Sequence, residues 1–516
     1  MQIHKIKLIN FKKFKNLEIS LNENNYHIFI GDNEAGKSTI LQAIDLVCSG
    51  SIRRIETIGL ARLFNKGTIS DFLKNVQQEK LFPKMIVELY LKGCDDFNFE
   101  GKNNTDKQNC YGVRLICELD EDYENEMLDS LKTDYESFPF EYYKIRFSTF
   151  ADISYSDIRK KAIKSLFIDE STNPYSLNDF IKREFHYSAD EHPEEKARIL
   201  HEYNYMRNQI SQTIKNESVF SQEKTTFGLK TTSEFDFEND LTIIDDGMDL
   251  SMKGKGTQST IATKYALSKR KDGVSVILLE EPENHLSHTK LLKLLEDIKK
   301  EIGQSTQLFI ATHNNDICSR LDLKNVIVLG DNDTNSDLDK LSDETAKYFM
   351  KTPPASLIEF CLSNQTILVE GPAEMILMDL FFKILTNKSA SELGINVLDI
   401  RGLSFKRYLE VGKLLNKKVA VITDNDHNEE SDVQRRYQDF IYENSKIFTD
   451  KDSQNAYTFE ASIFTKNPDY LKGLFGDQAL QYMLENKTES ALRILENNQK
   501  IEVPDYISEA IQWITK

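Results

Sequence analysis

The stretch Phe29-Ile-Gly-Asp-Asn-Glu-Ala-Gly-Lys-Ser-Thr-Ile40 restricts the fold more than any other part of the chain. Gly31, four intervening residues, Gly36, Lys37 and Ser38 have the spacing of a phosphate-binding loop. Tyr26 to Ile30 is an apolar run of strand length, and Thr39 to Val47 places apolar residues at helical spacing, so the loop joins strand to helix. Glycines let successive backbone N–H groups turn inward onto phosphate oxygens, and the helix N-terminus adds the positive end of its dipole. Lys37 then neutralises the outer phosphates, the Ser38 hydroxyl can ligate Mg2+, and Asn33 and Thr39 complete the set facing the nucleotide. The alternative, a glycine turn capping an ordinary helix, does not require strand, loop and helix to fall in register.

A chain of 516 residues exceeds what one hydrophobic core supports and implies roughly two to four domains. No apolar run is long enough to cross a bilayer, and the start, Met1-Gln-Ile-His-Lys-Ile-Lys-Leu8, alternates like a strand and lacks the apolar core of a signal peptide. A cytoplasmic protein with no membrane partner is the expectation. The six cysteines include no C-x-x-C pair and no metal-ligand spacing, which fits free thiols in a reducing compartment. A net charge of −18 argues against a nucleic-acid coat but not against a nucleic-acid enzyme, whose carboxylates metal ions would neutralise. Basic clusters survive at Lys5 to Lys15, Arg53-Arg54, Arg159-Lys160-Lys161 and Arg435-Arg436, each either a solvated face or a phosphate track.

In chain order, residues 1–150 read as the N-terminal half of an ATPase. Strands are expected at the start, over Leu17 to Leu21 and over Leu81 to Leu91, and Gln77-Gln78 are candidates for linking the site to an attached domain. Residues 151–225 turn to polar and aromatic stretches of helical period, above all Asp190 to Lys215, and are expected to be a helical insertion that dimerises. Residues 226–350 hold the second half of the ATPase. Lys253-Gly-Lys-Gly-Thr-Gln-Ser259 opens an apolar-periodic helix whose amides could grip a phosphate, with Gly254, Lys255, Gly256 and Gln258 as contacts. Val274 to Leu279 is a buried-strand run that delivers Glu280 to Mg2+ and Glu281 to a polarised water, and Pro282 ends it. Leu308 to Ala311 is another strand, and His313 beyond it can sense the terminal phosphate.

Together these residues resemble ATPases of the ABC type found in SMC and RecF proteins, and most of all the OLD (overcoming lysogenization defect) family, whose Glu-Glu-Pro-Glu segment stands here as Glu280-Glu281-Pro282-Glu283. The resemblance implies a dimeric head in which one subunit's signature loop faces the other's phosphate loop. The usual Leu-Ser-Gly-Gly-Gln signature is altered: Gly256 and Gln258 fit, Lys255 takes the serine position and Thr257 that of the second glycine. Lys255 is therefore expected to reach a phosphate across the dimer in the manner of an arginine finger.

Beyond Lys351-Thr-Pro-Pro-Ala-Ser356 a new α/β unit is expected over 360–516. Gln365 to Val369 is a strand ending in Glu370-Gly-Pro-Ala-Glu374, with a helix over Met375 to Leu385. Val397 to Ile400 and Lys418 to Thr423 are further strands, the latter ending in Asp424-Asn-Asp426. The active edge of a parallel sheet is where its strands end, so Glu370, Asp424 and Asp426 should converge, with Glu374 one helical turn on. Carboxylates so crowded repel each other, and a hard cation that takes oxygen ligands, Mg2+ or Mn2+, resolves the repulsion. This pattern resembles the Toprim domain of topoisomerases, primases and OLD nucleases. The resemblance adds Glu460 of Thr458-Phe-Glu460 as a metal ligand, Lys487 (with Ala491) as a basic-helix residue, and the run Val503-Pro-Asp-Tyr-Ile507. Where the family often has Gly-Gly-Lys this chain has Arg401-Gly-Leu-Ser-Phe405, with Lys406 or Arg407 as substitutes.

The fold class expected is α/β: an ABC/SMC-type ATPase head with a helical insertion, followed by a C-terminal Toprim (Rossmann-like) domain. The function implied is that of an ATP-regulated, divalent-metal-dependent DNA endonuclease of the OLD family, in which Glu370, Asp424 and Asp426 serve in-line attack on a phosphodiester and Lys487 offsets charge. Such proteins are implicated in defence against phage, alone or beside a helicase-like partner as in Gabija systems. ATP and Mg2+ are the expected cofactors, DNA the substrate, and a homodimer or higher homo-oligomer the expected assembly. The alternative is a nucleotide-switched scaffold or DNA sensor whose degenerate Toprim domain recruits a separate effector. A primase is disfavoured for want of a zinc-binding cysteine module, and a topoisomerase because no motif flags a catalytic tyrosine.

Overall fold

The computed structural model describes residues 1–75, 81–133, 137–155, 163–169, 181–182, 185, 192–216, 221–222, 225–226, 229, 237–238, 240–268, 275–301, 306–331, 333–352, 354, 356–400, 404–497 and 501–516. Gln77-Gln78, Arg159-Lys160-Lys161 and Arg401 to Leu403 lie outside the described residues. The chain forms two compact units, one of Met1–Ile6, Ser38–Phe64 and Ile69–Ala311, the other of Lys7–Lys37, Asn65–Thr68 and Thr312–Lys516. The four segments expected from the sequence divide the chain along its length, whereas these units divide it in space.

In the first unit, Val276–Glu280 lies between Ser165–Asp169 and Gln307–Ala311, all parallel, with Glu280 level with Ala311. Val276–Glu280 and Gln307–Ala311 are buried at every position, as their unbroken apolar runs require of a parallel sheet covered on both faces. An antiparallel sheet pairs Cys110–Leu119 with Met85–Lys92 and Tyr143–Thr149. The helix expected from Asp190 spans Pro193–Asn216, its proline at the first position, where the missing N–H costs nothing. None of its 24 residues is buried. Ile199, Met206 and Ile210 are exposed along one face, with Tyr203 of that face packed on Phe237 at 5.0 Å.

In the second unit, Tyr26–Gly31 runs parallel to Val326–Leu329, with Gly31 opposite Leu329. The unit also holds a four-stranded parallel sheet in the order Ile395–Asp399, Gln365–Val369, Lys418–Ile422, Ser445–Phe448. Its second strand, the one that leads to Glu370, lies next to its third, the one that leads to Asp424. The helix after Glu370 spans Pro372–Thr386 and so begins three residues earlier than the apolar period alone suggests. Gly371 caps it, Pro372 supplies a φ already suited to a first turn, and Asn387, left-handed at φ 59°, ends it. Phe381 and Phe382 of this helix are fully buried, and each such side chain removed from water contributes about 1.5–3 kcal/mol.

The helix Asp505–Thr515 closes the sheet. Its Ile507, Ala510, Ile511 and Ile514 recur at helical spacing and are fully buried. The Lys418 ammonium donates to the Ile514 carbonyl at 3.1 Å, and Trp513 packs on Phe448 at 6.0 Å.

Among the basic clusters, Lys5 pairs with Asp106, Lys7 with Glu18 at 3.5 Å, Arg54 with Asp45 at 2.5 Å and Arg435 with Asp432 at 3.1 Å. These cations are engaged by nearby carboxylates, as solvated faces commonly are. All six cysteines are free thiols. Among the described residues no helix is long and apolar enough to cross a membrane.

Candidate active site

The phosphate loop turns back on itself. Buried Lys37 donates from Nζ to the carbonyls of Gly31 at 3.0 Å and Asp32 at 3.1 Å, while Ala35 N–H closes the turn onto Asp32 O at 3.0 Å. Gly36 has φ +101°, and a Cβ there would stand 2.3 Å from Phe14 Cζ, so both backbone and packing demand glycine. Asn33 is exposed, and Ser38 and Thr39 lie in the first turn of the helix Lys37–Ser49, the former exposed. His313, half-buried in the same unit as Lys37, is flanked by Thr312, whose N–H donates to Phe29 O at 3.1 Å, and by Asn314, which caps the next helix.

The other half-site residues belong to the first unit. Glu280 is buried at the end of its strand. Glu281 leaves the sheet with φ +43°, a conformation that side chains rarely adopt; its N–H donates to Ala311 O at 2.8 Å and its carboxylate accepts from Asn284 Nδ2 at 2.8 Å. Gly256 is pressed against this segment, since a Cβ there would meet His285 O at 2.2 Å. The signature-like turn differs in detail from the expected phosphate grip. The amides of Thr257 and Gln258 both donate to Gly254 O, at 2.8 and 3.1 Å, and the Gln258 side chain donates to Lys253 O at 2.7 Å. Helix initiation thus uses the Gln258 amide, one of the expected phosphate contacts, and that of its neighbour Thr257, and a carbonyl takes up the Gln258 side chain, while Lys255 is exposed.

At the edge of the four-stranded sheet, a Glu370 carboxylate oxygen accepts from the Thr423 hydroxyl at 2.5 Å and from the Asp424 N–H at 2.9 Å. Glu374, third residue of its helix, folds back over Gly371: an added Cβ at Gly371 would lie 3.3 Å from its Oε2. Burial, then the charges of Glu460 and Glu370, push the Glu374 carboxyl up to about 8. Asp424 is likewise pushed up to about 8 by burial and by Glu370, Glu374 and Glu460. Glu460 is 3% exposed, its Oε2 has no hydrogen-bond partner, and Lys487 Nζ stands 3.2 Å from that atom. Burial lowers the Lys487 ammonium, but Glu460, Asp424 and Glu374 together hold it above the usual lysine range.

Glu370, Glu374, Asp424, Glu460 and Lys487 therefore share one electrostatic environment. Asp426 does not join them in the same way. It is exposed, with φ +49°, and its N–H donates to Tyr457 O at 3.1 Å. Among the described residues no three His, Cys, Asp or Glu side chains stand at metal-coordinating spacing. The donor chemistry nevertheless suits a hard divalent cation: the cluster is all oxygen, largely desolvated, and includes a buried Glu460 carboxylate oxygen met only by the half-exposed Lys487 ammonium. Of the proposed substitutes for the family's lysine, Arg407 is engaged by Glu344 and Thr345, and Lys406 lies over the Phe440 ring at 5.6 Å.

Several residues of this region escaped the motif-based reading. Asn425, between the two aspartates, is 1% exposed; its Nδ2 donates to Ala456 O at 2.9 Å and Asp450 O at 3.1 Å, and its Oδ1 accepts from His427 N at 3.0 Å. It thereby joins the Asp424 loop to the segment that leads to Glu460. His427 stacks on Tyr457 with ring centroids 4.1 Å apart, and Tyr506, raised well above the usual tyrosine range by burial and by Asp424, Glu374 and Asp450, borders the cluster. The only sequence signal for these was position, since each lies within two residues of a quoted motif residue or inside a quoted run.

Residues 362–426 match the family described as overcoming lysogenization defect protein-like, TOPRIM domain. Residues 1–173 match an AAA ATPase domain, and residues 136–319 a further AAA domain. A DNA replication and repair protein RecF from Clostridium kluyveri is 33% identical over 99 residues, 19% of this chain and 26% of the relative's length. Among solved structures, the SMC head domain from Thermotoga maritima aligns over 64% of this chain and 94% of its own at 14% identity and a TM-score of 0.28. The C-terminal region of the Xanthomonas campestris pv. campestris OLD protein aligns over 30% and 92% at 19% identity and a TM-score of 0.21.

Proposed function

The chain carries an AAA-type ATPase domain followed by an OLD-like Toprim domain, the make-up of an OLD-family protein of α/β fold, and we propose that it is an ATP-regulated, divalent-metal-dependent DNA endonuclease. The observation that carries this reading is the Glu370 carboxylate hydrogen-bonded to the Asp424 N–H, with Glu374 and Glu460 buried around them. Glu370, Glu374, Asp424 and Glu460 would hold the cation, with Asp426 reaching it from the exposed loop. A divalent ion bound there would supply a Lewis acid and a water of lowered pKa.

This chain's own residues do the rest. Thr423 and the Asp424 amide fix the Glu370 carboxylate in one orientation, and Lys487 balances Glu460 at the point where negative charge would accumulate on a cleaved phosphodiester. In the ATPase portion, Lys37 would exchange its two backbone carbonyls for the outer phosphates, Ser38 and Glu280 would hold Mg2+, Glu281 would polarise the attacking water, and His313 would face the terminal phosphate. The exposed face of Pro193–Asn216 would pair subunits. Anti-phage defence, with or without a helicase-like partner, is the setting in which such an activity fits.

The deciding experiment incubates purified protein with supercoiled plasmid and Mg2+ or Mn2+, comparing wild type with Glu370→Ala. Metal-dependent nicking by wild type and none by the variant is expected; no nicking by either overturns the assignment. The exposed position of Asp426 favours the second reading, a nucleotide-switched scaffold or DNA sensor that recruits a separate effector, and that outcome would support it.

A further inference from the structure

The short helix Leu357–Leu362 enters the strand that ends at Glu370, and both of its ends are held from outside. Its own cap residue, Ser356, makes no capping bond, its hydroxyl lying 3.2 Å from the Tyr408 hydroxyl. The first-turn N–H of Ile358 donates instead to Asn315 Oδ1 at 2.8 Å, so a side chain from another helix does the work of the cap. Asn315 is two residues beyond His313. The intervening Asn314 is fixed by its N–H to Thr312 Oγ1 at 2.9 Å, and Thr312 by its own N–H to Phe29 O on the strand that enters the phosphate loop.

At the other end, Ser363 O accepts from the Lys417 ammonium, and Asn364 O accepts from Lys418 N–H at 3.2 Å. Lys417 is buried, anchored by its N–H to Gly412 O at 2.9 Å and by its carbonyl to the Tyr442 hydroxyl at 2.8 Å, and it immediately precedes the strand that leads to Asp424. Burial lowers its ammonium, and the neighbouring Cys361 sulfur and the charge of Asp32 in the phosphate loop act against that. Asp32 also lends its carbonyl to Lys37.

We infer that the helix Leu357–Leu362 is the lever through which the state of the phosphate loop and His313 sets the spacing of Glu370 and Asp424, with Asn315 and Lys417 as its positioning residues. The inference rests on both proposed activities. A terminal phosphate that draws Lys37 off the Gly31 and Asp32 carbonyls and engages His313 would act two residues from Asn315, which holds the first turn of the helix, and on the loop whose Asp32 charge bears on Lys417, which holds its far end. The strands leading to Glu370 and Asp424 are hydrogen-bonded neighbours in register from Gln365↔Lys418 to Leu368↔Val421, so a shift of the helix emerges at the Glu370–Asp424 contact. Differential contacts in two states are what a coupling of this kind requires.

The test uses the full chain and a non-hydrolysable ATP analogue. In wild type the analogue should change plasmid cleavage about five-fold or more, in either direction. Asn315→Ala and Lys417→Met should reduce that change to under about two-fold while ATP hydrolysis and nucleotide-free cleavage persist, and Asn315→Asp, which keeps the acceptor oxygen, should restore it. Amide hydrogen exchange over 357–364 should respond to the analogue in wild type and not in Asn315→Ala. A wild-type nucleotide response retained by both variants, or a helix whose exchange ignores the nucleotide in wild type, overturns the lever. Wild type that cuts nothing overturns the nuclease assignment alone, because hydrogen exchange still judges the lever.

Discussion

Glu370 and Asp424 meet through the backbone: the Asp424 N–H donates to Glu370 Oε1 at 2.9 Å, so the acid of one strand end is oriented by the amide of its neighbour. A glutamine at position 370 keeps a carbonyl oxygen for that amide and for Thr423 but loses the charge. Glu370→Gln should therefore cost cleavage about 100-fold or more while leaving the unfolding midpoint nearly unchanged, whereas Glu370→Ala should lose both. Plasmid nicking paired with urea unfolding of each variant checks this.

Lys487 and Glu460 form the second relationship that mutation can dissect. Lys487→Met leaves a buried carboxylate with no cation beside it, and should lower stability by about 1–2 kcal/mol, less than for a fully buried pair because the ammonium is half-exposed. Adding Glu460→Gln should recover most of the loss, and a double-mutant cycle in urea gives the coupling directly.

His27, in the strand before the phosphate loop, gives a dependence on pH. Burial lowers its imidazole from 6.5 to about 3, so the unfolded chain takes up a proton that the native one refuses. Its contribution to stability is intact above pH 6.5 and declines as pH falls from there toward 3, by up to about 1.4 kcal/mol per pH unit. Glu374 and Asp424, held up near 8, act in the opposite sense over the same range, so the check is the difference between two proteins: the Tm advantage of wild type over His27→Gln should shrink as pH falls from 7 to 5.

The helix Pro193–Asn216 makes the fourth case. Ile199, Met206 and Ile210 are exposed together on a helix with no buried residue. If that face pairs subunits, Met206→Glu with Ile210→Glu should shift the protein to monomer in sedimentation velocity with little change in Tm. A dimer that persists assigns the contact elsewhere.

Much of this architecture is legible in the residues because buried parallel strands are unbroken apolar runs. Gln365–Val369 coincides with its predicted span, and the acids expected at strand ends do stand there. What escaped has local physical causes. Pro372 reads as a turn residue but is a first helical residue, which moved a helix start by three positions. Asp426 follows an aspartate at the right spacing, yet it is exposed, with left-handed φ values at Asp426 and His427 that no residue type announces. Gln258 matches a signature position but bonds to a nearby carbonyl, a choice made by the loop before it. Asn425 carries no chemistry of its own; its part is visible only once two distant loops lie side by side.

The four parallel strands beneath the acids are sealed by Ile507, Ala510, Ile511 and Ile514, side chains with no ligand chemistry of their own. A nonsense codon between Lys487 and Asp505 would thus spare every proposed ligand and still strip the cover from the sheet that holds them, so truncation there should be as damaging as loss of the carboxylates.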